Sequence, residues 1–176
     1  MNMLKLPELI CLNDYSGDWD KYLEIIYSCF KKDFIDSRPK FKGIKISLKK
    51  HPKLNGKEAT FWHLISEGKI EQKKIPDMRR CERIRWPRPI IENHQAENIK
   101  YWENKRMNED RVCLCFGEWE YLVVLSKRKG YILIWTAYPV TYGHTKMKLK
   151  KEYEEYSLKA NTAQEGGIVT PSTRGG

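Results

Sequence analysis

The sequence predicts an α+β fold in which N-terminal helices precede an antiparallel β-meander and a C-terminal helix closes the chain. Three observations predict it. Apolar residues recur at helical spacing near the N-terminus, three β-branched and aromatic runs follow one another between residues 111 and 140, and a charged helical pattern comes after them. Helices and antiparallel strands that are segregated along a chain are typical of α+β domains.

The first helix is predicted over residues 14–34. Asp14 or Ser16 can cap it, because their side-chain oxygens accept hydrogen bonds from free backbone N–H groups. Six residues then recur at spacings of three and four and predict one buried stripe: Trp19, Tyr22, Leu23, Ile26, Tyr27 and Phe30.

Apolar and polar side chains alternate strictly over residues 42–49 and predict a strand with one solvent-exposed, positively charged face. The alternating sets are Ile44, Ile46 and Leu48 on one side and Lys45, Ser47 and Lys49 on the other. Residues 51–56, "HPKLNG", indicate a loop. The apolar residues of segment 57–68 fit either a short helix or a strand.

A second cluster of helical signals begins at Asp77, which can cap a helix over residues 78–86. Pro87 is expected to stop this helix, because proline cannot continue it. Residues 88–107 indicate a turn or short helix followed by a connector.

Three runs, "RVCLCFG", "EYLVVLS" and "YILIWTAYPV", predict antiparallel strands joined by turns at 117–118 and 128–130. In an extended strand Thr136 and Tyr138 share one face, while Trp135 and Ala137 share the other. Residues 145–159 predict the last helix, with a stripe of Leu149, Tyr153 and Tyr156. We expect one domain over residues 1–159 and a flexible tail over residues 160–176.

The composition of this 176-residue chain fits a single domain. No run of about 18 apolar residues predicts a membrane span, and the N-terminal stretch is too short and polar for a secretory signal. We therefore expect a cytoplasmic protein that does not contact the membrane. Its five cysteines are odd in number and scattered, which argues against a disulfide framework. Cys113 and Cys115 are expected to be buried thiols.

The net charge of +10 favours a phosphate-bearing partner, although a lysine-rich, well-solvated surface explains it equally well. The sequence has no H-x-x-x-H, C-x-x-C, glycine-rich phosphate loop or G-x-S-x-G motif. These absences argue against metal-dependent, nucleotide-triphosphate and serine-hydrolase chemistry, and we expect no cofactor.

Cationic and hydroxyl side chains can cleave RNA without a metal. The ribose 2′-OH attacks the neighbouring phosphate and leaves a 2′,3′-cyclic phosphate, so the enzyme supplies a base, an acid and cations. His63, between Trp62 and Leu64, is the candidate base; the alternative is a core histidine bonded to a backbone carbonyl. Thr136 and Tyr138 can bond a phosphate oxygen or orient a proton donor, or they can simply pack a sheet face.

Arginine predominates among the candidate phosphate ligands because its planar fork donates two parallel hydrogen bonds. The densest group is Arg80, Arg83, Arg85 and Arg88, for which a solvated helix face is the alternative. Lys127 and Arg128 at a hairpin turn and His51 in a lysine-rich loop are further candidates for binding nucleic acid, and ordinary surface roles are the alternative. His94 and His144 are expected at the surface.

Three stretches, "HPKLNGKEATFWHLISEG", "RCERIRWPRPIIEN" and "EYLVVLSKRKGYILIWTAYPVTYGHTKMKLKKEYEEY", resemble nucleases of the Barnase–EndoU–colicin–RelE class, which are associated with phages and mobile elements. The resemblance covers roughly residues 40 to 156. It implies a small metal-independent RNase or toxin with N-terminal helices, a curved antiparallel sheet that holds the active site, and a possible cognate antitoxin or immunity protein.

The same resemblance implies residue roles. His63 would transfer protons, Arg83 or Arg85 would bind the scissile phosphate, and Thr136 and Tyr138 would line the sheet side of the site with Arg128 nearby. Of these two arginines, Arg85 is the predicted catalytic residue.

The sequence leaves three functions open. The first is a metal-independent endoribonuclease of the toxin or effector type that acts on RNA. The second is a basic phage or mobile-element protein that binds nucleic acid without cleaving it. The third is a host-defence inhibitor whose basic face meets an acidic protein partner.

Overall fold

The protein has an α+β fold, as predicted: a helical layer, a curled mixed sheet of six strands and a C-terminal helix. The computed structural model describes residues 2–68 and 75–166. The helices are α1 Trp19–Lys31, α2 Ala59–Ile65, α3 Met78–Glu82, α4 Pro87–Glu92 and α5 Gly143–Glu165. The strands are β1 Lys40–Phe41, β2 Ile44–Ser47, β3 Ser66–Glu67, β4 Ile75–Pro76, β5 Ile99–Arg106, β6 Glu109–Phe116, β7 Tyr121–Arg128 and β8 Tyr131–Pro139.

The first helix begins later than predicted. Asp18, and not Asp14 or Ser16, caps α1, because its Oδ1 accepts a hydrogen bond from the backbone N of Lys21 at 3.1 Å. Asp14 belongs to a short 3₁₀ turn, Leu12–Tyr15, and Ser16 takes a left-handed φ of 58°, which no α-helix continues. The predicted stripe is confirmed by the burial of Tyr22, Ile26 and Phe30, and α1 ends in a π-helical turn, Lys32–Asp36.

The main sheet has the strand order β1-β2-β8-β7-β6-β5. All neighbouring pairs are antiparallel except β2 and β8, which run parallel and make the sheet mixed. The predicted meander of three strands is confirmed as β6, β7 and β8. The strand expected over residues 42–49 is confirmed over Ile44–Ser47, where Ile46 is buried but Ile44 is 46% exposed.

The longest strand that the sequence does not predict is β5. Residues 99–106, expected to belong to a connector, form β5, which pairs with β6 from Ile99↔Phe116 to Arg106↔Glu109. The pattern was hidden because β5 is an edge strand that carries charges among its aromatic residues. Its hairpin turn, Met107-Asn108, adopts positive φ at both residues without a glycine to signal it.

The sheet packs on both faces. Its first face joins the helical layer in the larger core, which includes Val112, Leu114, Val123 and Leu125. The second face packs beneath α5 in a smaller core that consists of Trp102, Cys113, Cys115, Leu122, Val124, Val140 and Leu149. The sheet curls strongly, since the rings of Phe41 on β1 and Tyr101 on β5, at opposite ends of the strand order, lie 6.4 Å apart.

The segment between the first strands and β5 is helical. Residues 59–65, left open as helix or strand, form α2, and the short ribbon of β3 and β4 follows. Asp77 caps α3 as predicted, but α3 ends at Glu82 and not at Trp86. Pro87 does not merely stop a helix; it occupies the first turn of α4, where its missing N–H costs nothing.

The last helix is longer than predicted. α5 continues to Glu165, so residues 160–165 of the expected tail are helical, and residues 167–176 lie outside the described residues. Leu149 is buried against the sheet, with Tyr153 and Tyr156 packed beside it, which confirms the predicted stripe. No helix in the described ranges is long and apolar enough to cross a membrane.

The five cysteines are free thiols, and Cys113 and Cys115 are buried on one face as predicted. Burial raises the pKa of each of these two thiols to about 12. They are therefore protonated core residues.

Candidate functional site

A β-bulge in β8 shapes the second face of the sheet. The register shifts so that Leu125 pairs with Ile134 and Val124 pairs with Thr136, which makes Trp135 the extra residue. Thr136 and Tyr138 therefore share a face, as predicted. Trp135 does not share the opposite face with Ala137, because the bulge turns its ring toward the smaller core.

A cavity of about 300 Å³, which we call the α5 pocket, lies between α5 and the second face of the sheet. Four strands and one helix supply its walls. The lining residues are Asn104, Arg106, Arg111, Cys113, Leu122, Val124, Tyr138, His144, Thr145, Lys148, Leu149 and Glu152. The floor is apolar and the rim carries three cations and an imidazole, which is the arrangement expected for an anion held at the edge of a core.

Two buried polar atoms of the α5 pocket have no hydrogen-bond partner within residues 2–68 and 75–166: Nε of Arg111 and Oδ1 of Asn104. The Arg111 side chain is only 12% exposed, and its Nη2 lies 3.3 Å from Oε2 of Glu109. Nδ2 of Asn104 donates to Glu152 at 2.9 Å. A buried donor or acceptor without a partner is costly in a folded protein, so these two atoms mark a place where a water molecule or a ligand can bind.

Tyr138 separates the α5 pocket from a second cavity. This cavity of about 240 Å³, the α3 pocket, is lined in part by Arg79, Arg80, Thr145 and Tyr138. The guanidinium carbon of Arg80 lies 5.2 Å from the centre of the Tyr138 ring. Burial raises the pKa of Tyr138 above its ordinary value, and the charge of Arg80 opposes part of that rise. The phenol is therefore a proton-bearing hydrogen-bond donor at neutral pH.

Trp135 connects the sequence-predicted residues to the pocket. The guanidinium carbons of Arg111 and Arg128 lie 5.5 Å and 5.9 Å from the centre of its ring, and the His63 ring centre lies 6.2 Å away. Glu109 contacts both arginines, at 3.3 Å and 2.8 Å. One carboxylate thus partly neutralises two guanidinium groups beside the α5 pocket.

The structure brings five of the predicted residues to this region. Arg80 and Tyr138 contact each other, His63 and Arg128 lie against Trp135, and Thr136 follows Trp135 on the pocket face. His63 is half-buried on α2, which packs against β8, and it does not line the α5 pocket.

The other three arginines of the dense group serve elsewhere. Arg88 donates to the backbone oxygen of Asp33 at 2.8 Å and to Ser37, so it fixes the turn after α1. Burial raises the pKa of Asp33, and the charges of Arg88 and Arg85 oppose the rise. Arg85 is exposed and does not line the α5 pocket. Arg83 stacks on Trp86 at 5.0 Å and donates to a helix carbonyl.

Three further expectations concern basic residues outside the helices. Lys127 points to the sheet face opposite Arg128 and pairs with Glu103 at 2.7 Å. His51 is exposed in the predicted loop. His94 is not a solvated histidine: its ring packs 4.7 Å from that of Phe41, and its Nδ1 lies 3.1 Å from the backbone oxygen of Ile91.

Sequence reasoning missed the main cations of the α5 pocket. Arg106 was missed because it ends the unpredicted strand β5. Arg111 was detectable, since alternation in "RVCLCF" places it on the same face as Cys113 and Cys115. A charged residue in phase with two core thiols predicts a cation that is held against the second face of the sheet. His144 is exposed in the first turn of α5, and its place at the pocket depends on how α5 docks.

Comparison of the chain with protein-family models, with curated proteins and with solved structures found no match in any of the three. Within the described part of the chain, no cluster of three or more His, Cys, Asp or Glu could hold a metal ion. The chemistry of the site therefore has to be argued from its own residues.

Proposed function

We propose that the protein is a metal-independent endoribonuclease of the Barnase–EndoU–colicin–RelE type and that the α5 pocket holds the scissile phosphate. The buried Nε of Arg111, which has no partner among the described residues, supports this proposal most directly. A phosphate oxygen would satisfy it with a charge-assisted hydrogen bond. Arg106 and Lys148 line the same cavity and would oppose the remaining negative charge.

The proposed reaction uses three pocket side chains. His144 takes the proton of the ribose 2′-OH while the 2′ oxygen forms a bond to phosphorus. The bond from phosphorus to the 5′ oxygen breaks, and the Tyr138 hydroxyl gives its proton to that leaving oxygen. Arg111 stabilises the charge that develops on the phosphorane. The products are a 2′,3′-cyclic phosphate and a 5′-hydroxyl, and proton exchange with water restores both side chains.

Glu152 and Asn104 form the wall of the pocket opposite Tyr138. The carboxylate of Glu152 accepts hydrogen bonds from the side chains of Asn104 at 2.9 Å and Trp102 at 3.3 Å. These contacts orient the Asn104 amide, whose Oδ1 then accepts from a donor on the substrate, such as a ribose hydroxyl. This pair positions the substrate and takes no part in the proton transfers.

The decisive experiment incubates the purified protein with RNA in EDTA and identifies the product ends. We expect 2′,3′-cyclic phosphate and 5′-hydroxyl ends, and none from RNA whose 2′-OH groups are methylated. Arg111→Gln should slow cleavage about 100-fold, in the range seen when one charge-stabilising donor is removed. Arg85→Gln is the matched control and should cleave at the wild-type rate.

Three results would reject the proposal: cleavage that requires a divalent metal, ends other than a cyclic phosphate, or equal rates for the two arginine variants. RNA binding without any product would select the non-enzymatic nucleic-acid binder. Indifference to RNA together with capture of an acidic protein would select the inhibitor. As part of the same proposal, we place the activity in the cytoplasm, under the control of a cognate antitoxin or immunity protein.

A further inference from the structure

Three hairpin turns meet at one end of the main sheet. The β5–β6 turn follows Arg106↔Glu109, the β7–β8 turn follows Arg128↔Tyr131, and the β1–β2 turn follows Phe41↔Ile44. The parallel register of β2 and β8 places the β1–β2 turn level with the other two. We call this end the turn rim; its cations are Lys40, Lys42, Lys45, Lys105, Arg106, Lys127, Arg128 and Lys129.

Most of the charge of the turn rim is not neutralised. Lys105, Lys127 and Arg128 each have an acidic partner, Asp110, Glu103 and Glu109 respectively. The other five rim cations make no ion pair within residues 2–68 and 75–166, and all five are exposed. An uncompensated row of exposed cations attracts a polyanion through the release of its counterions.

Exposed apolar side chains stand between these cations. Met107 is 89% exposed, Tyr131 47% and Ile44 46%, one at or beside each hairpin turn. Cations that alternate with exposed apolar and aromatic surfaces fit a single strand, because its bases are free to stack on such side chains. A duplex keeps its bases stacked on one another and would leave these residues without a partner.

The turn rim is continuous with the α5 pocket. Arg106 belongs to both, as the last residue of β5 and as part of the pocket wall. The rim also spans the six strands of the sheet, which lie about 4.8 Å apart. A chain whose scissile phosphate occupies the pocket can therefore continue across the rim for several nucleotides.

We infer that the turn rim binds the unpaired RNA that flanks the cleaved phosphate. The natural substrate is then a single strand and not a duplex. This inference rests on the proposed function for its link to cleavage. Binding to the rim can nevertheless be measured by itself, with RNA that cannot be cut.

The test uses a fluorescent 12-nucleotide RNA whose 2′-OH groups are all methylated. The rim variant is Lys40→Ala/Lys45→Ala/Lys129→Ala, which removes three rim lysines that make no ion pair among the described residues. The charge-matched control is Lys21→Ala/Lys31→Ala/Lys32→Ala, on α1 and at the start of the π-helical turn that follows it. All six lysines are exposed. We expect the rim variant to bind the probe at least tenfold more weakly at 100 mM salt. The slope of log K against log salt should become shallower by roughly 2, because each lost phosphate contact on a single strand accounts for about 0.7.

Unchanged affinity in the rim variant, an equal loss in the α1 control, or tighter binding of the same sequence as a duplex would overturn the inference. Thermal melting of both variants checks that they fold. Failure of the proposed function looks different: the wild type then cleaves no RNA in EDTA, while the rim variant still loses affinity for the methylated probe. If cleavage occurs but the rim substitutions leave probe binding intact, the rim inference alone fails.

Discussion

The guanidinium carbon of Arg80 lies 5.2 Å from the centre of the Tyr138 ring, at the partition between the two cavities. This contact joins α3 to β8, and the two residues are 58 positions apart in sequence, so the partition is a product of the tertiary fold. The cation makes the phenol a better acid than burial alone would allow, since it opposes the rise of the Tyr138 pKa.

The first prediction concerns this phenol. Tyr138→Phe removes the proton donor and keeps the ring, so we expect cleavage to fall about 100-fold while the melting temperature changes little. Because the pKa of Tyr138 is raised above its ordinary value of 10.0, the wild-type rate should not decline through loss of this proton below about pH 10. Single-turnover rates between pH 6 and 10 test both statements. A Phe variant that cleaves at the wild-type rate would exclude Tyr138 as the acid.

The second prediction separates two histidines. His144 lines the α5 pocket, whereas His63 contacts Trp135 outside it. We expect His144→Gln to slow cleavage at least 100-fold and His63→Gln to slow it less than tenfold, since the latter acts through Trp135. Rates measured on one RNA oligonucleotide compare the two variants directly. A larger loss of rate in His63→Gln than in His144→Gln would identify His63 as the general base, as the sequence predicts.

The third prediction contrasts two arginines of the dense group, Arg85, which the sequence predicts to be catalytic, and Arg88, which it predicts to bind nucleic acid. Arg88 bonds backbone oxygens of the turn after α1, whereas Arg85 is exposed. Arg88→Ala should lower the free energy of unfolding by about 2 kcal/mol, the usual worth of hydrogen bonds that involve a charged group, without changing RNA affinity. Arg85→Ala should change neither quantity. Urea unfolding and probe binding measure the two effects, and an RNA-binding defect specific to Arg88→Ala would contradict the structural role.

The sequence was sufficient for elements whose signal is local. The stripe of α1, the Asp77 cap and the three meander strands follow from periodicity and capping, and these were confirmed. It was insufficient for β5, because an edge strand is stabilised by its neighbour β6 and not by a pattern of its own.

The site was predictable only in part, for the same reason. The alternation of β8 placed Thr136 and Tyr138 together, but the bulge at Trp135 and the docking of α5 are tertiary events. The bulge and the docking of α5 together determine which cations line the pocket. The density of arginines therefore predicted a phosphate site at Arg85 and Arg88, whereas the fold places Arg106 and Arg111 at the cavity.

The fourth prediction tests the docking of α5, which supplies one wall of the pocket. Leu149 is 6% exposed and packs into the smaller core, whereas Leu158 on the same helix is 67% exposed. Leu149→Ala should lower the free energy of unfolding by about 3 kcal/mol, in the range for a buried leucine, and Leu158→Ala by less than about 0.5 kcal/mol. Urea denaturation followed by tryptophan fluorescence measures both. Equal losses would mean that α5 does not dock as the structure shows.

The last prediction is a pH dependence of stability that originates in the core thiols. Burial raises the pKa of Cys81, Cys113 and Cys115 from an ordinary 9.0 to about 12. Between these two values the unfolded chain loses thiol protons that the folded chain keeps, so the unfolded state gains stability. The contribution of each thiol to folding is therefore complete below pH 9 and is lost progressively as the pH rises toward 12.

Buried tyrosines titrate in the same window, so the thiol effect has to be isolated by substitution. Cys113→Ala removes one buried thiol, and its free energy of unfolding should fall less steeply between pH 8.5 and 10.5 than that of the wild type, although it starts lower because of the cavity. At pH 8 a thiol reagent should leave these three cysteines unmodified until the protein is unfolded, because only the thiolate reacts. Rapid modification of Cys113 in the folded protein, or parallel pH profiles for the two proteins, would show that this thiol is not buried as the structure shows.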